Sequence, residues 1–232
     1  MKIPLGLLAI VGVFLALFWF VAPPTNEQMA QPRTDLPWQV KALPNGNLQV
    51  FDLELGADDL QAAVNKFGEY EGAAVFRSEE GDGALEVYFG KVNFGPLTAR
   101  VIVALEASIA ELDDFVSRAT ERKGSPTGDW KFTLAPDDVL GLNARKLTVI
   151  TYVPGTRGLD TEFFRSRFGD PVAWMRESEE AVSWFYPDLG LSVLVDADKS
   201  EVLEYTRPSE FVLPDGTKSG ASAEAARAAT QD

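Results

Sequence analysis

Two stretches of the chain decide how it is read: Asp59-Leu60-Gln61-Ala62-Ala63-Val64-Asn65-Lys66-Phe67-Gly68-Glu69 and Asp160-Thr161-Glu162-Phe163-Phe164-Arg165-Ser166-Arg167-Phe168-Gly169-Asp170. In the first, Asp58 or Asp59 is placed to cap a helix whose apolar stripe is Leu60, Ala63, Val64 and Phe67, the i, i+3, i+4, i+7 spacing of one helix face. Gly68 ends it, as glycine does where the chain leaves a helix in a left-handed conformation. In the second, Asp160 opens the helix, and Gly169 and Pro171 close it. Lys66-Phe67-Gly68-Glu69 and Arg167-Phe168-Gly169-Asp170 match in register with the two aspartates. Each is followed by a charged turn and an aromatic strand, Leu85–Phe89 and Ser183–Tyr186. The expected fold is α+β, with two related units that each pack a short helix on antiparallel strands.

Working outward, Leu48–Leu55 reads as a strand, and Ala73–Arg77 and Ala84–Phe94 as two more, joined by the turn Gly81-Asp82-Gly83. Leu97–Leu105 is dense in Val and Ile. Ser108 and Glu111 form a capping box for a further helix with the stripe Leu112, Phe115, Val116, Ala119, stopped by Lys123-Gly124-Ser125-Pro126. Trp130–Leu134, Lys146–Val153, Val172–Arg176, Val182–Tyr186, Gly190–Val195 and Val202–Tyr205 complete the strands. The first unit then occupies residues 37–157 and the second residues 158–214, and residues 215–232 read as a disordered tail.

The start of the chain differs in kind. Pro4–Ala22 carries no charge, and Trp19 and Phe20 stand at its far end. As a helix it is long enough to cross a bilayer. Pro23 and Pro24 after Ala22, and Gln28 before Ala30, make poor cleavage sites, so the segment reads as a transmembrane signal anchor that is retained. Residues 23–36 read as a flexible tether. Lys2 lies before the anchor, while Glu27, Arg33 and Asp35 follow it. That charge bias predicts a single-pass protein of the bacterial inner membrane with its C-terminal body in the periplasm, and the membrane as one partner through the N-terminal helix.

Composition narrows the chemistry. The 232 residues include no His and no Cys, which removes Ser-His-Asp and Cys-His catalysis, disulfides and nearly all zinc or copper sites. Thirty-five acids against 21 bases give a net charge of −14. Phosphate backbones repel such a body, and no nucleic acid is expected as a partner. Asp196, Asp198 and Ser200 alternate like a calcium loop, but Glu201 and Arg207 stand where Gly and Glu are required. Acid groups at Glu79-Glu80, Asp113-Asp114, Asp137-Asp138 and Glu177 with Glu179-Glu180 read as caps and solvated faces, and Trp174, Trp184, Phe185 and Tyr186 as core. No catalytic, cofactor or metal residue is assigned. The alternative is a cell-wall glycan-binding or carboxylate-based hydrolytic domain, drawing on those acids and aromatics.

The second half resembles the SmpA/BamE envelope family, whose repeat also occurs in tandem in β-lactamase inhibitor proteins. Gly158, Asp160, Phe164, Phe168, Gly169 and Pro171 hold the spacing, and Trp184-Phe185-Tyr186 supplies the aromatic strand. The first half keeps Asp59, Ala63, Phe67 and Gly68, with Ala57 for the leading Gly and Tyr70 for the Pro. SmpA/BamE members are lipoproteins; this chain, without Cys, carries no such lipid. The resemblance implies a non-catalytic protein that works by presenting sheet and loop surfaces to an envelope protein partner. The matched residues are structural, so no partner-binding residue is carried over.

Overall fold

The computed structural model describes residues 33–220, apart from 79, 80, 82, 125–128, 157, 158, 197 and 198. From Thr34 onward the described residues belong to one compact unit. It opens with a small antiparallel sheet, β1 (Lys41–Ala42), β2 (Leu48–Val50) and β3 (Leu53–Leu55). Helix α1 (Leu60–Phe67) leads to β4 (Gly72–Arg77), β5 (Gly83–Phe94) and β6 (Leu97–Leu105). Helix α2 (Ile109–Arg118), β7 (Glu121–Gly124), β8 (Trp130–Thr133) and the short α3 (Pro136–Leu140) come next, and then β9 (Leu147–Pro154). Helix α4 (Thr161–Phe168) precedes β10 (Ala173–Arg176), β11 (Ala181–Tyr186), β12 (Leu191–Asp196) and β13 (Val202–Thr206), and β14 (Lys218–Ser219) ends the fold.

Eleven of these strands form one sheet in the order β14-β10-β11-β12-β13-β9-β6-β5-β4-β8-β7, every named pair antiparallel. The expected α+β class is therefore corrected to a mostly-β fold. Strands dominate because the period-two runs are long: β5 has twelve residues and β6 nine, while α1 and α4 have eight each. The strands after both helices enter a single sheet. Its join is β13 against β9, with Leu203 opposite Tyr152 and Tyr205 opposite Ile150.

The expected membrane placement is corrected as well. Among the described residues no helix is long and apolar enough to cross a membrane. The longest, α2, has ten residues, where a span needs about 20. Residues 4–22, where the transmembrane signal anchor was placed, lie outside the described residues. The single-pass inner-membrane localisation with a periplasmic body is not carried forward.

The capping aspartates act as the sequence suggests. Asp59 accepts a hydrogen bond from the Ala62 N–H and Asp160 one from the Phe163 N–H. The closing glycines differ from the expectation: Gly68 and Gly169 have positive φ but an extended ψ, so neither is in the left-handed helical well. The span Leu48–Leu55 is a hairpin instead of one strand. Its apolar parity switches between Val50 and Leu53, and the two residues between them make the turn. Phe51 and Asp52 both take positive φ, 56° and 61°, the demand of a two-residue hairpin loop. Phe51 meets that demand because its ring is fully buried. It packs within 5.1–5.9 Å of Phe67, Phe94, Tyr152 and Tyr205, contacts that add stability beyond the area they bury.

The ends of the unit are tied in. Lys66 bridges Asp35 at 3.1 Å and Asp52 at 2.8 Å. At the other end, Trp174 and Ala173 pair with Lys218 and Ser219, so part of the stretch expected as tail is an edge strand.

Candidate functional site

Side chains alternate across a strand, so register assigns each residue of the large sheet to one face. On the inner face Leu85, Val87, Val101, Val103, Ile150, Tyr152, Leu203, Tyr205, Val193 and Trp184 are buried in the core. The helices belong to this side. Phe67 of α1 meets Phe89 at 5.4 Å, Asp113 of α2 pairs with Arg77, and Phe168 of α4 meets Tyr186 at 5.6 Å.

The outer face carries the alternate set. Cross-strand register lines up Tyr88, Ile102, Thr151, Glu204 and Ser192 in one row across β5, β6, β9, β13 and β12. A second row runs Ala74, Glu86, Ala104, Val149, Thr206. These side chains are half-buried or exposed, except Ala74, which is buried. Among the described residues no helix lies on this face, which is how an antiparallel sheet with one solvated side behaves. The apolar content is high for a solvated side: Phe76, Tyr88, Ile102, Val149, Val153 and Leu194 all belong to it.

A hollow of about 330 Å³ opens at one end of the face, lined by Glu71, Ala74, Phe76, Glu86, Tyr88 and Lys131 among others. Burial raises the pKa of Glu86 above the usual carboxyl value, with smaller contributions from the negative charges of Glu204 and Asp129; Lys131 pulls the other way. Burial likewise raises Glu204, which is open to solvent yet set low among its neighbours on the sheet. Among the described residues neither carboxyl makes an ion pair or hydrogen bond. By the same register the outer face also carries the cations Lys91, Arg100 and Lys131. The Lys131 ammonium instead sits 5.9 Å from the centre of the Phe76 ring.

The residues considered from sequence fall elsewhere. Trp174, Trp184 and Tyr186 are 3%, 0% and 3% exposed, on the inner face, and cannot stack on a sugar. Phe185 points outward but packs against Phe211 at 6.5 Å. Asp113 holds Arg77, Asp138 holds Arg118, and Glu177 accepts the Ser183 hydroxyl at 2.6 Å. Asp196 accepts the Lys199 N–H, closing a turn. Glu79, Glu80, Asp82 and Asp198 lie outside the described residues. No group of three or more acidic residues among the described residues is placed to hold a metal ion. Glu86 and Tyr88 were legible as outward residues in the alternation Leu85-Glu86-Val87-Tyr88-Phe89. Their conjunction with Glu204 was not, because it depends on the pairing of β13 with β9.

No protein-family model, curated protein or solved structure matches the chain.

Proposed function

We propose that the protein is a non-catalytic binding module whose outer sheet face is the contact surface for another protein. The observation that carries this reading is the conjunction of the half-buried apolar residues Tyr88, Ile102, Val149 and Val153 with the carboxyls Glu86 and Glu204 where the outer face is open, over β5, β6, β9 and β13. Contiguous apolar surface rimmed by polar groups is a recurrent mark of protein contact sites. Glu86 and Glu204 with Lys91, Arg100 and Lys131 give the face charge of both signs, which favours a partner with a matching polar pattern.

A carboxylate-based hydrolase is the second reading, and Glu86 with its raised pKa is the one feature in its favour. Against it, Glu86 and Glu204 stand on strands separated by β6 and β9, a backbone spacing of about 14 Å before side-chain reach.

A photoreactive amino acid placed at Ile102 or Val153 tests the binding reading, with Ile109 of α2, 75% exposed on the helix side, as control. In cells that express the protein, a discrete protein adduct should form from the two face positions and not from Ile109. That adduct should disappear when Val149→Asp is added to either face probe. Equal labelling from all three positions, or none from the face, would overturn the reading.

A further inference from the structure

The hollow of about 330 Å³ on the outer face has two ends of opposite charge. It exists because β4 presents almost no side chain there. Gly72 and Ala74 stand opposite Tyr88 and Glu86 of β5, and the next outward residue of β4, Phe76, stands opposite Lys131 of β8. Glycine and alanine make the floor, and the larger residues around them make the walls. The volume lies in the range of small-molecule sites.

Register sets the charges. Row by row along β4 come Gly72 with Tyr88, Ala74 with Glu86, and Phe76 with Lys131. Glu71 precedes Gly72 and also lines the hollow, so both carboxyls lie toward one end and the ammonium lies at the other. Glu86 and Lys131 are two strands and two residues apart, about 12 Å between backbones. They do not close on each other: among the described residues neither makes an ion pair or hydrogen bond. Glu86 is half-buried in the row between Ala74 and Ala104, and a carboxylate that has lost part of its water gains from a donor. The Phe76 and Tyr88 rings, both half-buried, and Ile102 supply the apolar part of the lining.

We propose that this hollow binds a free α-amino acid with an apolar side chain. The ligand's ammonium donates to Glu86, its carboxylate accepts from Lys131, and its side chain rests on the Phe76 and Tyr88 rings. A ligand of one charge satisfies one end and leaves the other unmatched, whereas a zwitterion matches both. The site shares Glu86, Tyr88 and Ile102 with the protein-contact surface but needs no partner protein, so this proposal and that reading fail separately.

Three probes are titrated into the full chain at neutral pH and followed by NMR: phenylalanine, phenethylamine, which lacks the carboxylate, and hydrocinnamate, which lacks the ammonium. Phenylalanine should give saturable shifts at Ala74, Tyr88 and Ile102 and leave Phe164, on the inner side, unmoved. It should bind about tenfold more tightly than either single-charge analogue, the worth of one hydrogen bond to a charged group. Glu86→Gln should weaken phenylalanine and phenethylamine by a similar factor and spare hydrocinnamate. Lys131→Gln should weaken phenylalanine and hydrocinnamate and spare phenethylamine. Both are substitutions on the sheet face at residues without an internal polar partner, so the fold is kept. Absence of saturable shifts, phenethylamine binding as tightly as phenylalanine, or a phenylalanine affinity indifferent to either substitution would overturn the assignment.

Discussion

Gly68 and Gly169 close their helices with one and the same backbone geometry, φ 94° and ψ −168° in the first, φ 80° and ψ −168° in the second. Each N–H bonds the carbonyl four residues back, of Val64 and of Arg165, at 2.9 Å. Positive φ with extended ψ is a region that essentially only glycine occupies. A Cβ at either position would meet nothing within 4 Å. The requirement is therefore backbone strain alone, and it should be the same at both ends.

Gly68→Ala and Gly169→Ala should each destabilise the fold by about 1–3 kcal/mol, and by nearly equal amounts. Gly72→Ala is the control. Gly72 also has open space where a Cβ would be, but its φ is ordinary, and its change should stay within about 0.5 kcal/mol. Denaturant melts measure all three. A marked inequality between Gly68 and Gly169 would show that the two helix ends are not equivalent.

Gly190 presents the opposite case, because geometry and space both demand glycine. Its φ is 56° and ψ 36°, and a Cβ there would collide with the Thr206 carbonyl oxygen. Backbone cannot give way as a flexible side chain can, and Thr206 is itself held by its N–H bond to the Gly190 carbonyl. Gly190→Ala should exceed either helix-end glycine, at about 3 kcal/mol or more. Asn tolerates a left-handed φ but keeps its Cβ, so Gly190→Asn should remain strongly destabilised. If Asn restores stability in thermal melts, strain and not collision governs the site.

The Tyr205 hydroxyl ties the entry segment to the far end of the core through Pro37. Tyr205→Phe leaves the buried carbonyl of Pro37 without its partner, a loss of about 1–3 kcal/mol. Hydrogen exchange should quicken first at Leu36–Gln39, whose turn is otherwise held by the Gln39 N–H bond to the Leu36 carbonyl. Uniform quickening across the whole sheet would mean that the bond supports the core rather than the segment.

The long strands were plain in the sequence because alternation in β5 and β6 persists over many residues, and the helix caps because Asp59, Ser108 and Asp160 each stand at a stripe's first turn. What local pattern hides is pairing. The sequence reads Lys123-Gly124-Ser125-Pro126 as a helix stop, yet the exposed residues Glu121–Gly124 pair with β8 as an edge strand, with Arg122 over the Trp130 ring at 3.7 Å. The turn at Phe51 was missed for the opposite reason, since a bulky residue at positive φ is contrary to every local rule and is held there by a ring cluster from distant strands. The candidate site shares that limit. Each outward residue is visible along its own strand, but the strand order that sets Glu86 and Glu204 on one face arises only from pairing between distant segments.

The last prediction sets two carboxylates against each other. Glu111 has its pKa lowered to about 2, first by the Ser108 backbone N–H, then by Arg145 and the Ser108 hydroxyl. A depressed carboxyl stabilises the fold above its unfolded value, near 4.5, and that contribution vanishes as pH falls through about 2. Glu86 is raised, by burial first, so its sign reverses: the folded state holds its proton longer, and the group destabilises the fold progressively as pH rises above 4.5. Glu111→Gln should therefore lower stability at neutral pH and become indistinguishable from the parent near pH 2. Glu86→Gln should match the parent below pH 4.5 and exceed it at neutral pH. Chemical denaturation of the three proteins across pH 2–8 reads both effects at once. Differences of the same sign in the two variants at neutral pH would contradict the placement of Glu86 as a desolvated, unpaired carboxyl on the outer face.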